Sequence, residues 1–220
     1  MFHLRYFKTF AAFCAVALMS ACGGGGGDQE GPPVASEPLR VVAFGDSLTA
    51  GEAFVSPPNL WVQHVQRQLN VDGIEATVYN EGRGGETSSE ALTRLPGVLA
   101  RYKPTHIILA HGTNDLYWYC PGCYDLPETN LKEMIRISKA AGVEVILAEF
   151  TFRARSQEEA AAYTAAFQRV QAATGVSYVN MTSDVPLDSI NYHPDRVHLT
   201  DAPQSSMAIK ILQALYQLID

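Results

Sequence analysis

From Leu39 onward, short apolar runs alternate with longer stretches in which apolar residues recur every third or fourth position. The short runs have strand length, and the longer stretches have the period of helices that bury one face. Arg40–Phe44, Glu75–Tyr79, His106–Ala110, Val143–Phe150 and Ser177–Asn180 are the predicted strands. Helices are predicted between them. Thr87-Ser88-Ser89-Glu90 and Ser156-Gln157-Glu158-Glu159 read as capping boxes, and Gly142 and Gly175 stand where a helix end favours a left-handed residue. Leu131, Met134, Ile135 and Ser138 share one helical face, and Pro96 should kink or split the helix that opens after Thr87. A last helix begins near Asp201–Pro203 and buries Met207, Ile211, Leu212 and Leu215. The alternation is that of an α/β domain on a mostly parallel sheet, with no internal repeat.

The residues before Leu39 follow another logic. Arg5 and Lys8 precede the apolar run Phe10–Met19, and small residues lead to Cys22, the shape of an export signal over residues 1–21. About ten apolar residues are too few to span a hydrocarbon layer of roughly 30 Å. Residues 22–38, rich in Gly and Pro, lack apolar periodicity and read as a flexible tether reaching roughly 20–25 Å. The expected domain is therefore residues 39–220.

Composition narrows the function classes. With 16 Lys and Arg against 23 Asp and Glu, the net charge is −7. No block of basic residues stands out, so no nucleic-acid partner is expected. Loss of the leader removes two basic residues and no acidic one, which argues against electrostatic capture by anionic lipid. Four Cys are too few for a disulfide scaffold in 220 residues. A monomer is the default expectation.

In open α/β sheets, ligands bind beyond the carboxyl ends of the strands. Gly45-Asp46-Ser47 follows the first predicted strand, Asn80 to Thr87 follows the second, and His111-Gly112-Thr113-Asn114-Asp115 the third. Near the chain end stands Asp195-Arg196-Val197-His198. A hydroxyl, glycine amides, a carboxamide and a carboxylate three residues before an imidazole are the parts that acyl transfer needs. The G-x-S-x-G elbow of α/β-hydrolases is absent, because Thr49 stands at its second glycine position.

These blocks resemble the SGNH hydrolases, or GDSL esterase/lipase family. Gly45-Asp46-Ser47-Leu48-Thr49 is similar to the first family block, Gly84-Gly85-Glu86-Thr87 to the second, Gly112-Thr113-Asn114-Asp115 to the third and Asp195-Arg196-Val197-His198 to the last. Leu92-Thr93-Arg94-Leu95-Pro96 looks like the bacterial secreted thioesterase, lysophospholipase and arylesterase branch. The resemblance implies a flavodoxin-like three-layer α/β/α sandwich around a five-stranded sheet. It implies a serine esterase acting on carboxylic esters, thioesters or lysophospholipids through an acyl-enzyme. Its nucleophile would be Ser47, its base His198 and its orienting acid Asp195, with Ser47, Gly85 and Asn114 as oxyanion donors. An imidazole with an unperturbed pKa of about 6.5 would lose activity as a base below about pH 6. No metal or organic cofactor is implied. Alternatives are an O-acetyltransferase or deacetylase acting on cell-surface polysaccharide, and a binding lipoprotein without turnover.

Leu18 to Cys22 also resembles the lipobox of bacterial lipoproteins, with Met19 in place of the commoner Leu. It implies lipidation at Cys22 and a cell-envelope location, periplasm-facing or at the outer membrane. Cys120 and Cys123, in the aromatic loop after the third block, are read as a local disulfide, with a redox motif or half of a metal site as alternatives. Asp46 and Asp115 are expected to brace loops, His111 to be a hydrogen-bonded strand-end residue, and Trp61 to pack in the core.

Overall fold

Five parallel strands carry the fold: β1 (Leu39–Gly45), β2 (Ala76–Gly82), β3 (His106–Ala110), β4 (Glu144–Glu149) and β5 (Ser177–Asn180). Their order across the sheet is β2-β1-β3-β4-β5. The computed structural model describes residues 37–116, 123–151 and 156–219. The export signal, Cys22 and most of the tether therefore lie outside the described residues, as do Cys120 and much of the aromatic loop.

Alternation along each strand feeds two apolar layers. Val41, Ala43, Ile108, Ile146 and Val179 face one side, packed with Trp61, Val65 and Leu69 of α2 (Trp61–Val71) and Met207, Ile211 and Leu215 of α6 (Gln204–Ile219). Val42, Phe44, Ile107, Leu109, Val145 and Leu147 face the other. There they meet α3 (Ser88–Tyr102), α4 (Asp125–Ala140) and α5 (Gln157–Thr174). The result is the expected three-layer α/β/α sandwich. Every strand pair among the described residues is parallel. Among those residues no helix is long and apolar enough to cross a membrane.

The topology decides where a site can form. The chain leaves β1 for β2 on one side, then crosses back to β3 on the other. Loops after β1 and β3 thus diverge at their carboxyl ends, leaving the crevice where such sheets bind ligands. Two glycines allow the loop after β1 to sit tightly there. A Cβ on Gly45 would lie 2.1 Å from Thr49 Oγ1, and one on Gly82 would lie 2.2 Å from the Ala50 nitrogen.

Helix ends follow the sequence signals closely. Thr87 caps α3, and both halves of its box with Glu90 are formed. Ser156 caps α5 through the Glu159 amide, and Gly175 closes it at φ 66°. Pro96 does not split α3, which runs unbroken to Tyr102. Proline removes one donor, but its position is exposed, so water can serve the carbonyl left without that bond. Gly97 beside it is also exposed, and a Cβ there would meet nothing within 4 Å. Gly97→Ala is expected to raise stability by about 0.5–1 kcal/mol in urea unfolding, because only backbone entropy changes.

Candidate active site

β1 runs straight into a single helical turn, α1 (Ser47–Ala50). Asp46 caps it, with Oδ1 accepting from the Leu48 amide at 2.9 Å, and Gly51 ends it at φ 73°. The Trp61 indole donates to the Leu48 carbonyl at 3.2 Å, so this core residue also pins the turn. Ser47 consequently stands at the turn's first position, beyond the carboxyl end of β1.

The partner loop comes from the far end of the chain. Tyr192 bridges Leu199 in antiparallel fashion, and the His193 amide donates to the His198 carbonyl at 2.9 Å. Inside that loop Asp195 Oδ1 accepts from the amides of Val197 (2.9 Å) and His198 (3.0 Å). Its Oδ2 lies 2.7 Å from His198 Nδ1. The other imidazole nitrogen, Nε2, lies 2.8 Å from Ser47 Oγ. The three-residue spacing thus puts acid and imidazole in one turn. Burial raises the Asp195 pKa, but the bonds from His198 and the two amides outweigh it, so the carboxyl sits below its ordinary range.

The second and third blocks are tied to each other beneath the surface. Asn114 Nδ2 donates to the Glu86 carbonyl at 3.0 Å, directly after Gly85. Gly85 itself is exposed with φ 76°, a left-handed conformation that favours glycine. Asp115 accepts from the Ser88 amide at 2.8 Å and its hydroxyl at 2.5 Å, the bracing role expected of it. His111 is buried, with Nε2 2.9 Å from Glu86 Oε2.

Sequence reasoning missed the charge cluster around Glu86. Arg94 donates Nε to Glu86 Oε1 at 2.7 Å, reaches Glu81 Oε2 at 2.8 Å, and lies over the Phe44 ring at 4.2 Å. Burial pushes the Glu86 pKa upward, but His111 and Arg94 together bring it below normal. It also missed Phe54, whose ring stacks on His198. A charged arginine on the buried side of an amphipathic helix was the available signal for Arg94. For Phe54 there was none.

Beside this constellation lies a cleft of about 720 Å³, lined by Thr151, Ala160, Ala161, Asn180, Leu187 and Arg196 among others. Thr151 and Arg196 also line a small crevice with Leu48, Thr113 and Val197, the chain neighbours of Ser47 and His198 among them. Among the described residues, no group of three His, Cys, Asp or Glu is placed to hold a metal.

A family model, the GDSL-like lipase/acylhydrolase family, matches residues 43–203. The chain belongs to this family. It is 33% identical over 114 residues to Esterase TesA of Pseudomonas aeruginosa and 32% identical over 114 residues to an arylesterase of Vibrio mimicus. Each alignment covers 51% of this chain and 54% of the relative, so the chain matches about half the length of these curated proteins. A crystal structure of a protein named TesA superposes with a TM-score of 0.76 at 24% identity, over 82% of this chain and 99% of that one. A psychrotrophic esterase EstA from Pseudoalteromonas sp., inhibited by monoethylphosphonate, gives 0.72 at 23% identity, over 82% and 98%. These likenesses place the sandwich among GDSL folds.

Asp46 is a buried acid in the family's first block. Burial raises its pKa from 3.8 to about 6, against lowering by His111, the Leu48 amide and His198. Its Oδ2 has no hydrogen-bond partner. Between those two pH values the folded chain binds a proton that the unfolded chain does not, so this group costs stability as pH rises through about 6. Asp46→Asn keeps the capping oxygen and removes the charge. Its stability relative to the parent should rise by about 2–3 kcal/mol between pH 4 and pH 8 in urea titrations.

Proposed function

We propose that this chain is a serine esterase that cleaves carboxylic esters, and by the same chemistry thioesters or lysophospholipids, through an acyl-enzyme. One observation carries the reading: the unbroken line from Asp195 Oδ2 through both imidazole nitrogens to Ser47 Oγ, at 2.7 and 2.8 Å. A serine hydroxyl attacks a carbonyl well only when a base accepts its proton. His198 Nε2 is within reach to do so, while Asp195 fixes the tautomer and stabilises the imidazolium. The tetrahedral oxyanion would be received by the backbone N–H groups of Ser47 and Gly85 and by the Asn114 carboxamide. Asn114 uses one amide hydrogen on the Glu86 carbonyl and keeps a second. His198 then protonates the leaving group, and water repeats the cycle to release the acid.

The leader, the lipidated Cys22, the 22–38 tether and the envelope location remain part of this reading on sequence grounds. Support for a Cys120–Cys123 bridge comes from Cys123, which is disulfide-bonded.

Hydrolysis of p-nitrophenyl esters from acetyl to palmitoyl tests the proposal. The parent should turn over esters and Ser47→Ala should not. Asn114→Ala should lose about 100–1,000-fold in kcat, the usual effect of removing one oxyanion donor. The chain-length profile of kcat/KM then separates an acetylesterase from a site that accepts longer acyl chains. Equal activity of Ser47→Ala would refute the mechanism.

A further inference from the structure

The Phe54 and His198 rings lie parallel, with centroids 3.5 Å apart and an interplanar angle of 3°. This is the closest ring contact described in the molecule, and it falls on the imidazole that bridges Ser47 and Asp195. Phe54 belongs to neither apolar layer of the sandwich, so core formation does not account for its position.

The segment that carries Phe54 is held to that task from both sides. Ala53 takes φ 60°, a conformation few residues other than glycine adopt, and the amides of Phe54 and Val55 both donate to the Gly51 carbonyl. The Phe54 carbonyl accepts from His193 Nε2 at 2.9 Å, and its ring meets the His193 ring edge-on at 5.5 Å. Farther along, Asp201 takes the Ser56 amide and the Asn59 side chain, each at 2.8 Å. The stretch leaving the Ser47 turn is thereby fastened to the loop that carries His198.

We propose that Phe54 is a positioning residue for His198: its face fixes the imidazole plane and favours the imidazolium formed as Ser47 gives up its proton. The proposal rests on the reading of His198 as base. A ring held flat cannot rotate away from Ser47 while keeping Asp195. The negative π-face attracts a positive charge that exists only after proton transfer has begun, so the effect belongs to the transition state.

The test compares Phe54→Leu and Phe54→Met, which keep apolar bulk without a π-face, with Phe54→Tyr and Phe54→Trp. Two readouts are used on the full chain: p-nitrophenyl butyrate kinetics and the rate of labelling by a fluorophosphonate. The Leu and Met variants should lose about 5–30-fold in kcat and labelling rate, with KM within about twofold. Their melting temperatures should stay within a few degrees of the parent, and the Tyr and Trp variants should recover most of the loss. Parental rates in Leu and Met, or equal losses in all four, overturn the proposal. A parent that fails to label, or that labels equally as Ser47→Ala, overturns the esterase mechanism itself and this proposal with it. Labelling that depends on Ser47 but ignores residue 54 overturns the positioning role alone.

Discussion

The hydrogen bond between Ser47 and His198 joins residues 151 positions apart. It holds only if two separate pieces of chain arrive within a few tenths of an ångström of the right place. Each is stabilised by its own means. The Ser47 turn is capped by Asp46, closed by Gly51 and pinned by Trp61 from the core. The His198 loop is folded on itself by Asp195 and by its pairing around Tyr192 and Leu199. The sandwich brings the two together because α6, which follows the His198 loop, packs against α2, which follows the Ser47 turn. Gln204 makes that link direct: its side chain accepts from the Trp61 amide at 3.0 Å and donates to the Thr200 carbonyl at 3.0 Å.

On the other side of Ser47 the constraint is electrostatic. Glu86, Arg94, Glu81 and His111 are charged or chargeable groups largely removed from water. Buried ionisable groups are tolerated when they are paired, as Glu86 is by Arg94 and His111, and desolvation makes a single deletion costly. The cluster's geometric output is modest but specific. It fixes Glu86, whose carbonyl holds the Asn114 carboxamide, and Gly85 stands one residue before it. A buried ionic network thus helps fix the Asn114 carboxamide, a task that apolar packing, which lacks direction, performs poorly.

How much was legible in the sequence follows from the range of each interaction. Strands and helix caps were readable because period, capping and glycine conformation act within a few residues. β3 and β5 were located to the residue, and β2 was displaced because Asn80, Glu81 and Gly82 are polar yet paired with β1. The Asp195 and His198 pair was readable because its turn is local. Arg94 was not, since its partners lie 8 and 13 residues away and on a different element. At Pro96 the expected split does not occur, since the rule against proline in helices assumes a carbonyl that nothing else can satisfy, and this position is exposed.

The two halves of the site differ in solvent exposure. Asn114, Glu86 and His111 are buried, whereas the His198 and Asp195 side chains keep 19% and 37% of their accessible surface. Exposed charge pairs are held weakly, because water competes for each partner and side-chain freedom opposes them. An imidazole in that position would be expected to sample other rotamers unless something apolar covered one face. Phe54 supplies that cover, and the positive φ of Ala53 marks the backbone distortion accepted to aim it. The exposed half therefore needs stiffening by contacts that the buried half obtains from its ion pairs. Exposure on this side also suits the proposed hydrolysis, in which water would have to reach an acyl-enzyme next to the same imidazole.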